Sequence, residues 1–150
     1  MNWFRRPLSA LLKDVLARLL PRRRPTGDRA VVHALKALDQ ADTLAAVDAL
    51  ERALAEGLVT YDEAEVRTVL GKAYKDVGRY DDAIAMHEAA LALRPQYHKA
   101  WNNLGIVYLD TGRMAEAVRA FKQSIRCNPE YAFAYASLGA AYLYQDRPEK

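Results

Sequence analysis

Apolar side chains recur every three or four residues in successive short segments of the chain, the spacing that places them on one side of an α-helix. The first stripe runs along residues 8–20 and ends at Pro21. Two more cover residues 31–38 and 44–54, and the second of these ends at Gly57. Helical stripes continue beyond residue 64, so the pattern predicts an all-α protein.

The strongest signal is an internal repeat with a period of 34 residues. A leucine–glycine pair followed by tyrosine occurs three times at this spacing, and a second glycine, an alanine and a proline occur twice. The repeated positions are Leu70, Leu104 and Leu138; Gly71, Gly105 and Gly139; Tyr74, Tyr108 and Tyr142; Gly78 and Gly112; Ala83 and Ala117; and Pro95 and Pro129. A period of this length is typical of a stacked array, in which each unit buries its apolar face against the next.

Each unit is predicted to contain two packed helices joined by a turn. The inner positions of the second unit are Trp101, Leu104, Tyr108, Ala117, Phe121 and Ser124. Gly105 and Ala117 are expected where the two helices approach most closely. Gly105→Leu should therefore destabilise the fold by several kcal/mol, about the cost of overpacking a core.

This pattern resembles the tetratricopeptide repeat family, whose signature is tryptophan, two residues, leucine–glycine, two residues and tyrosine, then alanine, an aromatic residue, alanine and proline. Residues 64–97 match the signature, with Arg67 in place of the tryptophan and His87 in place of the second-helix aromatic. Residues 98–131 match almost throughout, with Ser124 in place of an alanine. The resemblance implies a right-handed superhelical solenoid of antiparallel helix pairs.

The units at the two ends of the predicted array are incomplete. Residues 132–150 match only the first helix of a repeat. Residues 30–63 lack the leucine–glycine and tyrosine positions and are interpreted as a degenerate repeat that caps the array.

The last predicted helix is unusual because residues 131–145 contain no charged side chain. One face should pack on the second repeat, and the rest would meet water. The residues expected on the uncovered surface are Phe133, Ala136, Ala140, Leu143 and Tyr144. An apolar patch of this size is typical of an interface, so either the chain is a piece of a longer array or a second copy covers the patch.

Charge divides the chain into a basic segment and an acidic body. The formal net charge is +3, but residues 1–29 carry +6 and the other 121 residues carry −3. Residues 1–24 are predicted to form a basic amphipathic helix, followed by a linker over residues 25–29. The candidate contact residues of that helix are Trp3, Phe4, Arg5, Arg6, Leu8, Leu12, Leu16, Leu19, Arg22, Arg23 and Arg24.

Two interpretations of this segment stay open. The leucines pack on protein, or they enter a membrane interface while the arginines face anionic head groups. A secretory signal is disfavoured because Lys13, Asp14 and Arg18 interrupt the apolar run. Nucleic acid is a weaker partner because the body is acidic and the segment has few side chains able to contact bases.

The chemistry of most enzymes is missing from the sequence. One cysteine excludes an intrachain disulfide framework, and no stretch reaches about 18 uncharged apolar residues. The three histidines are not spaced as metal ligands, and no phosphate-binding loop or nucleophile motif occurs. His87 and Cys127 are interpreted as core residues. We expect a protein that is not an enzyme and holds neither metal nor cofactor.

The resemblance places a binding groove on the concave side, which the first helices line. The predicted groove residues are Thr68, Val69, Lys72, Lys75, Lys99, Asn102, Asn103, Ile106, Leu109, Asp110, Phe133 and Ser137. Lysines favour acidic groups and the apolar side chains favour apolar ones, so an acidic–hydrophobic peptide is the expected ligand. Family members that grip chaperone C-termini use two asparagines, two lysines and an arginine; at the equivalent positions here only Asn103 matches.

The expected function is therefore a non-enzymatic scaffold that binds a peptide or partner protein in this groove. The protein is expected in the cytoplasm, with the N-terminal helix as a means of attachment to the inner face of a membrane. Two alternatives remain: self-assembly through the uncharged C-terminal helix, and a regulatory subunit that contacts nucleic acid through its basic segment.

Overall fold

The computed structural model describes residues 27–145, which form seven α-helices and no strand. The helices are α1 (Gly27–Asp39), α2 (Thr43–Glu56), α3 (Glu63–Asp76), α4 (Tyr80–Leu93), α5 (His98–Asp110), α6 (Met114–Cys127) and α7 (Ala132–Gln145). Predictions for residues 1–26 and 146–150 lie outside this range.

Consecutive helices pack in pairs, and the pairs stack in chain order. The closest packing joins α1 to α2, α3 to α4 and α5 to α6, and α7 lies against α6. The second and third pairs fall within the predicted units 64–97 and 98–131, apart from Glu63. The all-α solenoid of helix hairpins expected from the sequence is confirmed.

The start of α1 differs from the prediction, because the helix begins inside the segment assigned to a linker. The Gly27 amide donates a hydrogen bond to the carbonyl of Gly57 at 2.8 Å. A Cβ at residue 27 would overlap the carbonyl oxygen of Ala53, so only glycine allows this approach. The linker prediction is therefore wrong for residues 27–29: the glycine serves close packing at this position rather than flexibility.

Asp28 strengthens the same junction. Its carboxylate accepts hydrogen bonds from the backbone amides of Val59 at 3.0 Å and Thr60 at 2.9 Å. These bonds, that to Val59 foremost, hold the pKa of Asp28 below its usual value. The beginning of the first helix is thus tied to the loop that follows the second.

The core consists of two adjoining clusters of buried apolar side chains. One joins the first two helix pairs around Leu50 and Leu70, and the other joins α5 and α6 around Leu104 and Phe121. Ile84 packs against both clusters, so the interior is continuous along the stack.

Glycine marks the contact between the two helices of each complete unit, as predicted. A Cβ added to Gly71 would lie 2.7 Å from Cε1 of His87, and one added to Gly105 would lie 2.5 Å from Cε1 of Phe121. Such separations are well inside van der Waals contact. The two rings thus lie directly on the backbone of the preceding helix.

The prediction for Cys127 needs adjustment. It lies at the end of α6 and is only half-buried, although burial still raises the pKa of its thiol. Its position in the last turn leaves one side open, because no further turn of α6 covers it.

Candidate functional site

A cavity of about 140 Å³ lies between the first helices of the two complete units. Its lining residues are Lys72, Lys75, His87, Asn103 and Ile106. Four of these come from α3 and α5, and His87 comes from α4 behind them. The cavity brings together four of the twelve residues predicted to line a groove.

The repeat explains why these side chains meet. Lys72 and Ile106 are 34 residues apart and hold the same position in consecutive units. Lys75 and Asn103 each lie three residues from one of them on the same helix, which places each pair on one helical face. Stacking two units therefore aligns two lysines with an amide and an apolar side chain.

The positive charge at the cavity belongs mainly to Lys72. Lys75 forms a salt bridge with its neighbour Asp76 at 2.8 Å, and that bond raises the pKa of Lys75. Lys72 is exposed and forms no salt bridge with any residue between 27 and 145. Its ammonium group is thus available to an anionic ligand.

His87 forms the back of the cavity and is the residue whose role there was missed. It is fully buried, as a core residue should be, but neither ring nitrogen has a hydrogen-bond partner in the described structure. Burial lowers the pKa of the imidazole to about 4, so the ring is neutral at pH 7. The available signal was its position, 34 residues before Phe121, where a polar ring replaces an apolar one.

Two predicted groove residues are buried. The Thr68 hydroxyl donates a hydrogen bond to the carbonyl of Ala64 at 2.7 Å, one turn earlier in the same helix. Asn102 is also buried, and its Oδ1 has no hydrogen-bond partner among the described residues. These two side chains offer a ligand little surface.

The other predicted groove residues remain accessible but do not line this cavity. Lys99, Asp110 and Phe133 are exposed, whereas Val69, Leu109 and Ser137 are half-buried. They extend the surface formed by the first helices to either side of the cavity.

A larger hollow of about 590 Å³ lies between the second helices α4 and α6, above α5. Its floor includes Trp101, Leu104 and Tyr108, and the Trp101 indole nitrogen donates a hydrogen bond to the carbonyl of Pro95 at 2.8 Å. None of the predicted groove residues contributes to it.

The described residues contain no cluster of three or more histidine, cysteine, aspartate or glutamate side chains able to hold a metal ion. Between Gly27 and Gln145, no helix combines the length and the apolar character needed to cross a membrane.

Comparison with known proteins identifies the repeat. Residues 68–132 match the family model of the tetratricopeptide repeat, and these residues contain the landmarks from Leu70 to Pro129. The chain belongs to the tetratricopeptide repeat family. The family expected from the sequence is therefore confirmed.

Solved tetratricopeptide repeat structures have the same arrangement of helices. The crystal structure of MamA superimposes with a TM-score of 0.71 at 26% identity, covering 89% of this chain and 74% of MamA. The first repeat domain of Spaghetti, bound to the HSP90 peptide SRMEEVD, gives 0.73 at 17% identity, covering 83% and 96% of the two chains. At that identity the second likeness concerns the fold alone.

An enzyme is also among the structural neighbours. The O-GlcNAc transferase of Thermobaculum terrenum superimposes with a TM-score of 0.72 at 26% identity, over 86% of this chain but only 24% of the transferase. No curated protein matches the chain in sequence.

Proposed function

We propose that this tetratricopeptide repeat protein is a non-enzymatic scaffold that binds an extended acidic and apolar segment of a partner protein. The observation that carries the proposal is the cavity between α3 and α5, where the unpaired Lys72 lies beside the apolar Ile106. A peptide-bound neighbour of the same fold supports a protein ligand.

The lining residues suggest how such a segment is held. Lys72 attracts a carboxylate, and Ile106 packs against the apolar side chain next to it. The Asn103 amide has both a donor and an acceptor, which suits the backbone of an extended ligand. Charge at the rim chiefly speeds encounter, while the desolvated apolar contact slows release.

The ligand is expected to differ from the chaperone peptides bound by structural neighbours. Of the five positions used for a terminal carboxylate in that branch of the family, only Asn103 is retained, and Thr68 is buried against its own helix. The peptide SRMEEVD should therefore bind this chain weakly.

Fluorescence anisotropy with labelled synthetic peptides tests the proposal. One probe alternates glutamate and leucine, a second replaces each glutamate by lysine, and SRMEEVD is the third. The first should bind the full chain best, and Lys72→Glu should weaken it about tenfold or more, the effect of placing like charges at a contact.

Lys122→Glu is the matched control. Lys122 is an exposed lysine on α6, away from the cavity, so the same charge change there should leave affinity within about twofold. Equal binding of the glutamate and lysine peptides, or equal weakening by both variants, would contradict the proposed groove.

The N-terminal segment carries a separate proposal, attachment to an anionic membrane through residues 1–24. Its leucine stripe and arginines support it. Vesicles containing phosphatidylserine should float the full chain and leave behind a chain without residues 1–29. Equal recovery of both forms would remove the proposal. Steep salt-dependent binding of DNA or RNA by the full chain would instead support the nucleic-acid alternative.

A further inference from the structure

The outer face of α7 is the third copy of a surface that is covered twice elsewhere in the molecule. The leucine, glycine and tyrosine at these positions are buried in α3, where α4 covers them, and in α5, where α6 covers them. In α7 the glycine is exposed, Tyr142 is 42% exposed, and a Cβ added to Gly139 would meet nothing within 4 Å. We call the surface formed by Tyr135, Leu138, Gly139 and Tyr142 the open seat.

The two covered copies define what the open seat accepts. In each, a helix antiparallel to the first lays a ring on the glycine: His87 on Gly71 and Phe121 on Gly105. Small residues lie one turn on either side of the ring, Ala83 and Ala90 in one case and Ala117 and Ser124 in the other. The complementary surface is therefore a helix with a ring next to small side chains.

We propose that the open seat is occupied by α7 of a second copy of this chain, running antiparallel to the first. Along the seat, Gly139 lies four residues after Tyr135 and three before Tyr142, so each helix presents both the glycine and the rings. An antiparallel copy then places a ring against each glycine in both directions, as a two-fold interface requires. The contact continues the helix-to-helix packing already present between α3 and α4 and between α5 and α6.

The charge of α7 supports a second copy as the occupant. It alone among the seven helices between Gly27 and Gln145 has no aspartate, glutamate, lysine or arginine. Two identical charged faces would repel each other, whereas two neutral faces meet without that cost. Burying tyrosine rings also gives more favourable free energy per residue than burying small side chains.

Concentration-dependent mass in solution tests this proposal with the full chain. Light scattering from about 1 to 200 µM should show a monomer becoming a dimer, the behaviour of a small interface. Gly139→Ala should raise the dimer dissociation constant about tenfold or more, because the added methyl group meets the partner's ring. At low concentration the same variant should unfold at a higher temperature, since alanine favours helix over glycine.

A matched pair of substitutions separates the open seat from general stickiness. Tyr142→Lys lies on the seat and should abolish the dimer. Tyr144→Lys makes the same change on the same helix, at a residue that is 61% exposed and faces away from the seat, and should leave the dimer intact.

Three results overturn the proposal. A monomer at every concentration excludes a second copy, and the seat then belongs to a helix of another protein. A monomer destabilised by Gly139→Ala means that another segment of the same chain covers Gly139. Equal loss of the dimer in both lysine variants places the contact outside the seat.

Discussion

His87 shows how one side chain changes the local properties of a repeat. It holds the position that Phe121 holds in the next unit, and both rings lie on a glycine. The imidazole brings two polar nitrogens into the core, and neither finds a partner among the described residues. An unpartnered buried polar group costs free energy of folding, about 1–3 kcal/mol. The cavity beside Lys72 and Asn103 exists at the unit with this smaller, polar ring.

The protonation of His87 predicts a pH dependence of stability. Its pKa is about 4 in the folded chain and about 6.5 when unfolded. Its contribution is therefore complete above pH 6.5, and as the pH falls towards 4 the unfolded chain takes up a proton that the folded chain does not. This should remove up to about 3 kcal/mol of stability.

Urea unfolding of the native chain and of His87→Phe between pH 4 and 7 measures this effect. Phenylalanine fills the same position without polar atoms, so the variant should be more stable at pH 7 by about 1–3 kcal/mol. Its advantage should grow as the pH falls. An advantage that stays constant over this range would show that the buried imidazole does not resist protonation.

At the scale of the helices, the same devices recur once per unit. Arg79 lies over the ring of Tyr74 at 4.2 Å, and Arg113 lies over that of Tyr108 at 4.3 Å. Each arginine also forms a salt bridge with an acidic residue in the first turn of the next helix, Asp82 or Glu116. The turn within each hairpin is thus held by one arginine that joins both helices.

The three leucine–glycine positions give a prediction about helix packing. Gly105→Leu should destabilise the chain by several kcal/mol, about what forcing a side chain into the Phe121 ring costs. Gly139→Ala should stabilise the dilute chain by up to about 1 kcal/mol, because it improves helix propensity and meets nothing. Chemical denaturation at low protein concentration compares the two. Destabilisation by both would show that Gly139 is covered within the monomer.

At the scale of the whole molecule, the stack is supported unevenly. Helices α4 and α5 have neighbours on both sides, whereas α7 packs mainly on α6 and leaves its outer face open. In a stacked array, stability comes from the units and from their interfaces with neighbours. The middle of the stack should therefore open least often.

Amide hydrogen exchange of the dilute chain checks this expectation. Amides of α7 should exchange faster than those of α4 and α5, because fewer packing contacts must break to expose them. Protection of α7 equal to that of α5 at low concentration would contradict an uncovered end. Rising protection of α7 with concentration is expected if a second copy binds there.

Much of this architecture could be predicted from the sequence because it depends on local spacing. The 34-residue period located the paired helices, and Gly105 and Ala117 marked their close contact. Neighbours in a solenoid are consecutive in the chain, so the landmarks of one unit predict its contacts with the next. For the same reason Lys72, Lys75, Asn103 and Ile106 could be assigned to one surface.

Only the tertiary structure decided which side chains are buried and which remain free. The sequence does not show that Gly27 touches α2, that Thr68 bonds its own helix, or that Gly139 is open. Nor does it place His87 at the back of a cavity without hydrogen-bond partners. Periodicity specifies which face a residue occupies, but burial depends on whether another helix covers that face. In this molecule α4 and α6 cover two of three equivalent faces, and the third is left to a partner.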